Sequence, residues 1–343
     1  MALTVTFKKV DGLELALDVY PPQALGSEPV PAVVYYHGGG LTVGDRSSWF
    51  PTWLHARLSK TGIALISTDY RLLPPATGHE ILEDVCDALA FVTNGELNAR
   101  LSARNAGFSV DCSAVAVAGT SSGGLCAYLA AAHGKSRDAA SPKALLSMYG
   151  MGANLLTPHY LTPKTEPFFR GRELLDPDSF ADFLHPRAER LPPISVSPLA
   201  YHPNDSPTPG YPANPRMQLA RLYLQMGNFL DYYTGQHEPS LSAALRDTPN
   251  KNAVLGQHRR LFPQFNVSAS WPPTLICHGE SDTAVPAAES VYLRDLLHEA
   301  GVPIDLRIIP GREHSFDYAP GVEDELGGVF DDIVRWLVER LRS

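Results

Sequence analysis

The chain contains few cysteines. Only four occur in 343 residues, Cys86, Cys112, Cys126 and Cys277, and no two have the CxxC spacing of zinc or redox motifs. The sequence therefore indicates neither a disulfide framework nor a structural zinc site. We expect free thiols in a reducing compartment.

Positive charge and long apolar runs are also scarce. The chain has 28 Lys and Arg residues against 37 Asp and Glu residues, for a formal net charge of −9, and no basic run. We therefore expect no nucleic-acid partner. No stretch of about 18 apolar residues is present, which a membrane-spanning helix would need. The first ten residues lack the basic and then apolar order of a secretory signal. These features predict a cytoplasmic protein with no membrane span.

Hydrophobic residues make up 44% of the chain, enough for a substantial core. Several short runs rich in β-branched and aromatic residues predict parallel strands buried on both faces. The runs are 32–36, 64–68, 114–118, 144–149, 274–277 and 306–309. Helical patterns separate most of them, which predicts an α/β fold with a mostly parallel sheet flanked by helices. Segments 5–10 and 14–20 are expected to form an antiparallel hairpin at the edge of the sheet.

One long segment, residues 152–265, interrupts this alternation. It holds 16 of the 30 prolines. Because proline removes a backbone donor and fixes φ, a regular strand–helix repeat is excluded there. We predict an inserted cap, or lid, between the strands near 144–150 and 274–278. The catalytic core would then consist of residues 1–151 and 266–343.

The strongest chemical signal is a serine flanked by glycines. Ser121 follows the third apolar run, with Gly119 two positions before it and Gly123 two positions after it. Glycines at these offsets let the chain turn sharply and lift the serine side chain above a sheet. Ser122 has Thr120 at the first of these offsets. The sequence therefore predicts Ser121 as a nucleophile.

A second signal is the run Gly38, Gly39 and Gly40, which follows His37 at the end of the first apolar run. Without Cβ atoms, such residues allow backbone N–H groups to approach a substrate oxygen closely. A phosphate-binding loop is disfavoured because no Gly-Lys-Ser/Thr follows. We predict an oxyanion hole formed by the N–H of Ser122 and two of the three glycines.

A serine nucleophile needs a base and an acid that orients the base. His314 lies in the loop after the last apolar run, and Asp282 lies in the loop after the preceding one. The chain order Ser121, Asp282, His314 is the order expected for a nucleophile on this kind of turn. Glu280 is the rival acid, but the loop after a strand normally needs a few residues to reach the histidine. Glu313 is disfavoured because neighbouring side chains seldom face each other.

In these motifs the chain resembles the α/β-hydrolase superfamily, and within it the hormone-sensitive-lipase-like esterases. The resemblance covers roughly residues 1–151 and 266–343. It rests on His-Gly-Gly-Gly at 37–40, on Asp-Tyr-Arg-Leu at 69–72 and on Gly124 after the serine turn. Departures from the family pattern occur at 73–75, Thr120, Ser122 and the Val-Pro pair at 285–286.

The motifs and the resemblance imply a serine hydrolase that cleaves a carboxylic ester of a small to medium, mainly apolar molecule through an acyl-enzyme. No metal and no organic cofactor is expected. A thioesterase or acyltransferase acting on a polyketide-like acyl chain, or a peptidase, would use the same triad. A non-catalytic ligand receptor on the same fold is a different class, and such proteins typically lose a triad member.

The predicted cap supplies candidates for a substrate pocket. Apolar positions spaced three and four apart predict one helix over 217–233. The aromatic side chains Phe168, Phe169, Phe229 and Tyr233 are candidate substrate-binding residues. The sequence leaves the formation of a homo-oligomer open.

Overall fold

The structure is a computed structural model that describes residues 2–10, 12–137, 139–248 and 256–343. Eight strands form one sheet in the order β1-β2-β4-β3-β5-β6-β7-β8. The strands are β1 Leu3–Val10, β2 Leu13–Tyr20, β3 Val30–Tyr36, β4 Ala64–Thr68, β5 Val110–Thr120, β6 Leu145–Met148, β7 Thr274–Gly279 and β8 Ile304–Ile309. The pairs β1–β2 and β2–β4 are antiparallel, and the other pairs are parallel.

Helices cover both faces of the sheet. The α-helices are α1 Thr52–Lys60, α2 Gly78–Thr93, α3 Glu96–Ala103, α4 Ser122–His133, α5 Pro158–Leu161, α6 Arg216–Met226, α7 Phe229–Thr234, α8 Leu241–Asp247, α9 Ala288–Glu299 and α10 Val322–Leu341. Short 3-10 helices span Gly134–Arg137, Pro177–Phe183, Arg187–Arg190, Gly256–Leu261, Pro263–Phe265 and Phe316–Tyr318. Among the described residues, no helix is both long and apolar enough to cross a membrane.

Strand β3 shows why the apolar runs are continuous. Val34 and Tyr36 belong to one hydrophobic cluster, together with residues of α2 and α4. Val33 and Tyr35 belong to a second cluster, together with residues of α1 and α10. Successive side chains of a strand point to opposite faces, so a strand covered on both sides needs apolar residues at every position. The predicted α/β fold with its edge hairpin is confirmed.

The order of the strands determines where a crevice opens. From β3 the chain crosses to β4 on one side and then returns to β5 on the other side of β3. In open α/β sheets, loops diverge at the carboxyl ends of the strands where the order reverses in this way. The glycine loop after β3 and the serine turn after β5 therefore begin side by side.

The segment between β6 and β7 differs from the rest of the chain. Within its described residues, 152–248 and 256–273, it contributes helices and 3-10 turns but no strand of the sheet. The prediction of a single helix over 217–233 was wrong, because α6 ends at Met226 and a separate helix, α7, begins at Phe229. Gly227 lies between them with φ 65°, a left-handed conformation that commonly ends a helix.

Arg216 attaches this segment to the core. Its guanidinium donates hydrogen bonds to the backbone oxygens of Leu73 at 3.0 Å and Pro74 at 2.7 Å. A hydrogen bond also runs in the opposite direction, since Thr42 Oγ1 donates to the backbone oxygen of Arg216 at 2.9 Å. Helix α6 is therefore held directly against the loops that follow β3 and β4.

Candidate active site

Ser121 lies at the turn between β5 and α4. Its backbone has φ 53° and ψ −122°, a conformation that a residue with a side chain adopts only at an energetic cost. Both glycines of the motif are required by close contacts. A Cβ on Gly119 would lie 2.0 Å from the oxygen of Gly123, and a Cβ on Gly123 would lie 2.0 Å from the oxygen of Tyr36. The turn is therefore tight enough to leave the serine hydroxyl above the sheet.

The structure brings together the three residues that the sequence names as nucleophile, base and acid. His314 Nε2 lies 3.0 Å from Ser121 Oγ, and His314 Nδ1 lies 2.7 Å from Asp282 Oδ2. Since an ionised carboxylate only accepts hydrogen bonds, Nδ1 carries the proton and Nε2 presents its lone pair to the serine hydroxyl. The histidine is thus in the tautomer that can accept the serine proton.

Asp282 is held as a carboxylate by several donors. Burial alone would raise the pKa of Asp282. Hydrogen bonds from His278 and His314 lower it by more than burial raises it, so the pKa lies well below its usual value. The backbone N–H groups of Ala284 and Val285 also donate to Oδ1, at 2.9 Å and 2.8 Å. The acid is therefore both ionised and fixed in position when it meets the histidine.

His278 is a second histidine on the same carboxylate. Its Nε2 lies 3.1 Å from Asp282 Oδ2 and 2.9 Å from the carbonyl oxygen of Val285. Because a carbonyl oxygen can only accept, Nε2 carries the proton, and Nδ1 accepts from Ser290 Oγ at 2.6 Å. His278 therefore lies beneath the acid loop and bonds to two of its oxygen atoms.

The rival carboxylates lie elsewhere. Glu280 is exposed, and its Oε2 accepts from the N–H of Gly311 at 3.0 Å. Glu313 accepts from the N–H groups of Thr283 at 2.8 Å and His314 at 2.7 Å. Glu313 therefore ties the acid loop to the histidine loop through backbone groups, while its carboxylate bonds to neither ring nitrogen of His314.

The glycine loop lies beside the serine. Gly38, Gly39 and Gly40 all line the same cavity as Ser121. In the described part of the chain, the N–H groups of Gly39 and Gly40 donate to no backbone oxygen. Ser122 is the first residue of α4, where an N–H has no partner within the helix. These groups are free to bind an oxygen of a ligand.

His37 supports this loop from below. Burial lowers its pKa to about 4, so the ring is neutral near physiological pH. The ring stacks on Tyr70 with a centroid distance of 4.4 Å, and Nδ1 donates to the oxygen of Gly38 at 2.7 Å. His37 therefore helps to fix the backbone of the glycine loop.

A cavity of about 250 Å³ opens above Ser121 and His314. Of the four aromatic residues predicted to bind substrate, Phe169 and Phe229 line it, and Phe168 and Tyr233 do not. Tyr233 is fully buried in the core, and its hydroxyl donates to the oxygen of Leu261 at 2.7 Å. Phe168 packs against that same hydrophobic cluster. The prediction was wrong for these two, because apolar periodicity marks buried rings without telling which of them face a cavity.

Sequence reasoning missed two tyrosines of the cavity wall. The ring of Tyr149 meets His314 edge-on at 4.7 Å, and its hydroxyl donates to buried Asp317 at 2.5 Å. Tyr160 lines the cavity and donates to Glu289 at 2.5 Å. The sequence contained a usable signal for Tyr149, because this residue directly follows β6 at the edge of the sheet that carries Ser121. Tyr160 had none, because its neighbours in space are distant in sequence.

One group of side chains outside this cavity offers metal-ligand atoms. Atoms of His185, Glu189 and His237 lie within 4.8 Å of one another. However, the rings of His185 and His237 stack at 4.3 Å with an interplanar angle of 11°, so their in-plane lone pairs lie in two nearly parallel, separate planes and do not meet at one point. The sequence interpretation expected no metal, and this stacked arrangement does not resemble a convergent ligand set.

Two family profiles match the chain. The profile described as the α/β hydrolase fold matches residues 33–212, just over half of the sequence. The profile of the prolyl oligopeptidase family matches residues 226–343. The second match contains Asp282 and His314.

Curated relatives include fungal non-reducing polyketide synthases. The chain is 28% identical over 332 residues to ausA of Penicillium brasilianum, covering 94% of this chain and 13% of that protein. It is 28% identical over 340 residues to pkbA of Emericella nidulans, covering 92% and 13%. For stbA of Stachybotrys bisbyi the identity is 27% over 333 residues, covering 92% and 14%. The chain thus spans only about an eighth of the length of these relatives.

Similar solved structures include two esterases. A propionate-bound esterase from Thermogutta terrifontis has a TM-score of 0.60 at 17% identity, covering 98% of this chain and 94% of that one. A bacterial heroin esterase has a TM-score of 0.63 at 18% identity, covering 100% and 85%. At these identities the likeness establishes the fold. The eight-stranded sheet of the described residues and the profile match over half of the sequence lead to one conclusion: the chain belongs to the α/β-hydrolase family.

Proposed function

We propose that this protein hydrolyses carboxylic esters of small to medium, mainly apolar molecules with Ser121 as nucleophile, His314 as base and Asp282 as orienting acid. The observation that carries the proposal is the hydrogen-bonded chain from Ser121 Oγ through both ring nitrogens of His314 to Asp282 Oδ2. An alcohol is a poor nucleophile until a base takes its proton, and this arrangement supplies the base in the correct tautomer.

The reaction then follows in two halves. Ser121 Oγ attacks the acyl carbon as His314 Nε2 takes its proton, and the resulting imidazolium is stabilised by the carboxylate of Asp282. His314 next gives this proton to the leaving alcohol, which leaves an acyl-enzyme. Water repeats the sequence with His314 as base, and the acid product leaves with Ser121 restored.

The oxygen that becomes negative in each half needs donors. The proposed oxyanion hole consists of the Ser122 N–H and two of the N–H groups of Gly38, Gly39 and Gly40. It is supported by the free N–H groups of the glycine loop and by the position of Ser122 at the start of α4. A single donor of this kind typically lowers the barrier by about 3 kcal/mol.

The inserted segment, residues 152–265, acts in this proposal as a cap on a core formed by residues 1–151 and 266–343. Support comes from the cavity wall, which the segment shares with the loops around Ser121. Phe169 and Phe229 would contact the acyl or alcohol part of the substrate. The rings are apolar, which favours hydrocarbon groups near the reacting ester.

The test combines covalent labelling with turnover. A fluorophosphonate should attach to Ser121 in the wild type, as located by peptide mass spectrometry, and 4-nitrophenyl acyl esters of graded chain length should be hydrolysed. Ser121→Ala should lose both labelling and turnover while keeping its circular dichroism spectrum and melting temperature.

Ser122→Ala is the matched variant, because its proposed role uses only the backbone N–H. It should still be labelled at Ser121. Undiminished hydrolysis by Ser121→Ala, or labelling of the neighbouring serine, would refute the assignment.

A second candidate function is the cleavage or transfer of a thioester-bound acyl chain. What favours it is the similarity of nearly the whole chain to a stretch of non-reducing polyketide synthases. A thioesterase and an esterase would use the same triad. Parallel kinetics on an oxygen ester and a thioester of the same acid, with and without an added alcohol acceptor, distinguish ester hydrolysis, thioester hydrolysis and acyl transfer.

A peptidase is the third candidate, and the match of residues 226–343 to the prolyl oligopeptidase family favours it. Cleavage of a peptide 4-nitroanilide would support that function. The non-catalytic receptor is the least favoured, because all three residue types of the triad are present and adjacent in space. The cytoplasmic location and the oligomeric state stay predictions.

A further inference from the structure

The cavity above Ser121 carries an unusual charge. Three arginines line it, Arg170, Arg172 and Arg221, and its wall contains no Asp or Glu among the described residues. The whole chain has a formal net charge of −9, so a purely cationic cavity is opposite in sign to the protein around it. All three arginines belong to the inserted segment.

Arg221 is the most informative of the three, because its side chain is buried. Only 5% of the residue is exposed, yet it lines the cavity. Nη1 donates to the backbone oxygen of Glu173 at 2.9 Å, and Nη2 donates to Gln218 Oε1 at 3.3 Å. Gln218 Oε1 already accepts from the hydroxyl of Tyr211 at 3.0 Å. In the described ranges Arg221 thus has neutral acceptors and no carboxylate partner.

Other buried arginines are satisfied differently. Arg71 forms an ion pair with Asp84 at 2.8 Å. Arg216 on the same helix as Arg221 donates to three backbone oxygens and does not line the cavity. Burying a cation without a counter-charge is costly, so a buried guanidinium that faces a cavity favours an anion there. Arg221 is the buried arginine that meets this description.

The two exposed arginines, Arg170 and Arg172, add to the positive charge of the cavity wall. Burial lowers the pKa of Arg221, nearby Tyr211 opposes that shift, and the positive charge of Arg172 adds to it. Arg170 donates through Nη2 to the backbone oxygen of His314, and its own N–H donates to Thr283 Oγ1 at 2.9 Å. The cationic wall therefore extends from α6 to the loop that carries the base.

We propose that the natural substrate carries an anionic group, a carboxylate or a phosphate, which Arg221 and Arg172 bind while its ester carbonyl lies at Ser121. The planar guanidinium donates two parallel hydrogen bonds and fits both kinds of anion. This inference rests on the proposed function and narrows it: the apolar rings contact the body of the substrate, and the arginines bind its charged end.

The experiment uses two substrate pairs that differ only in charge. The carboxylate pair is 4-nitrophenyl hydrogen adipate and its neutral methyl ester. The phosphate pair is 4-nitrophenyl 6-(phosphonooxy)hexanoate and its neutral dimethyl phosphate triester. We expect kcat/KM to be about 10- to 100-fold higher for the anionic member of one pair, the size expected for hydrogen bonds to a charged group. The pair that shows the preference identifies the anion, and high salt should reduce the preference.

Two variants test the residues. Arg221→Gln should lower the ratio of anionic to neutral kcat/KM by about tenfold or more. Arg172→Gln, at an exposed position that does not endanger folding, should lower it by a smaller factor. Arg187→Gln removes the same charge from an exposed arginine of the inserted segment that does not line the cavity, and its ratio should equal that of the wild type.

The outcomes separate this inference from the function on which it rests. Cleavage of neutral esters with no preference for the anion in either pair would overturn the inference alone. An unchanged ratio in both cavity variants would also overturn it. If no substrate is cleaved and no phosphonate labels Ser121, the proposed function fails and the inference fails with it.

Discussion

Two regions of the molecule meet around Ser121, and they are built differently. The strand-end loops, 37–44, 119–123, 279–286 and 310–317, start at the carboxyl ends of β3, β5, β7 and β8. The inserted segment, 152–265, consists of short helices, 3-10 turns and proline-rich loops in its described part. The loops supply Ser121, His314 and Asp282, whereas the inserted segment supplies the arginines and most of the apolar lining.

The difference lies in how each side chain is held. In the strand-end loops, an acid such as Asp282 receives hydrogen bonds from two rings and two backbone N–H groups. In the inserted segment, Arg221 has only neutral acceptors within the described residues. A group that performs a proton transfer must be placed precisely before substrate arrives, while a group that recognises charge can await its partner from the ligand. We therefore propose that the loops carry out the chemistry and that the inserted segment determines selectivity.

The largest effect should come from Asp282→Asn. The amide cannot hold His314 in the required tautomer or stabilise the imidazolium, so kcat should fall on the order of 10⁴-fold with little change in KM. Glu280→Gln is the matched control, because that exposed carboxylate bonds only to Gly311 in the described chain. Equal losses in the two variants would remove the distinction between the acid and its rival.

Gly40→Ala tests the contact between the two regions. Gly40 has φ +63°, and a Cβ there would lie 2.2 Å from the Cβ of Ala220 on α6. Overpacking and a left-handed alanine together should lower the free energy of unfolding by about 2–4 kcal/mol. Gly311 has nearly the same backbone, φ +64°, with open space around it. Gly311→Ala should therefore cost about 1 kcal/mol, and Gly40→Ala combined with Ala220→Gly should approach that smaller cost in denaturant unfolding.

Glu289→Gln tests how the start of the inserted segment is anchored. Glu289 accepts from the N–H of Gly152 at 2.8 Å and from Tyr160 at 2.5 Å, and burial raises its pKa from 4.5 to about 7. The folded protein thus binds this proton more tightly than the unfolded chain does. The resulting stability is fully present below about pH 4.5 and is lost as the pH rises to about 7, a total of about 3 kcal/mol.

Melting curves across that pH range measure this contribution. Glu289→Gln should lose the corresponding decline, so its stability relative to the wild type improves as the pH rises. Glu339→Gln, at an exposed position of α10, should run parallel to the wild type. If the loss of stability with rising pH is as large in Glu289→Gln as in the wild type, a group other than Glu289 causes it.

The smallest effect should come from Phe169→Ala, which removes an apolar ring from the cavity wall and no group that transfers a proton. The ratio of kcat/KM between long and short acyl esters should change about 5- to 10-fold, the size expected for a modest change in apolar contact. Phe168→Ala removes the neighbouring ring, which does not line the cavity, and should leave this ratio unaltered. A larger effect at the second position would reverse the assignment of the two rings.

Much of the fold could be predicted because its cause is local. Continuous apolar runs such as 64–68 coincide with strands, and the glycines around Ser121 correspond to contacts that a Cβ would prevent. The failures share the opposite property. The helix predicted over 217–233 is broken by Gly227, and Tyr233 is a core residue although its spacing resembles that of the cavity-lining Phe229. Periodicity reports that a face is buried, but not what covers it.

The sequence by itself determined the α/β alternation, the tight serine turn and the chain order of serine, acid and histidine, because each depends on a few neighbouring residues. Only the tertiary structure decided that Asp282 rather than Glu280 meets His314, that His278 shares the same carboxylate, and that Arg221 faces the cavity with no counter-charge among the described residues. These relations join residues far apart in the chain. They exist only after the sheet has brought its strand ends to one edge and the inserted segment has packed above them.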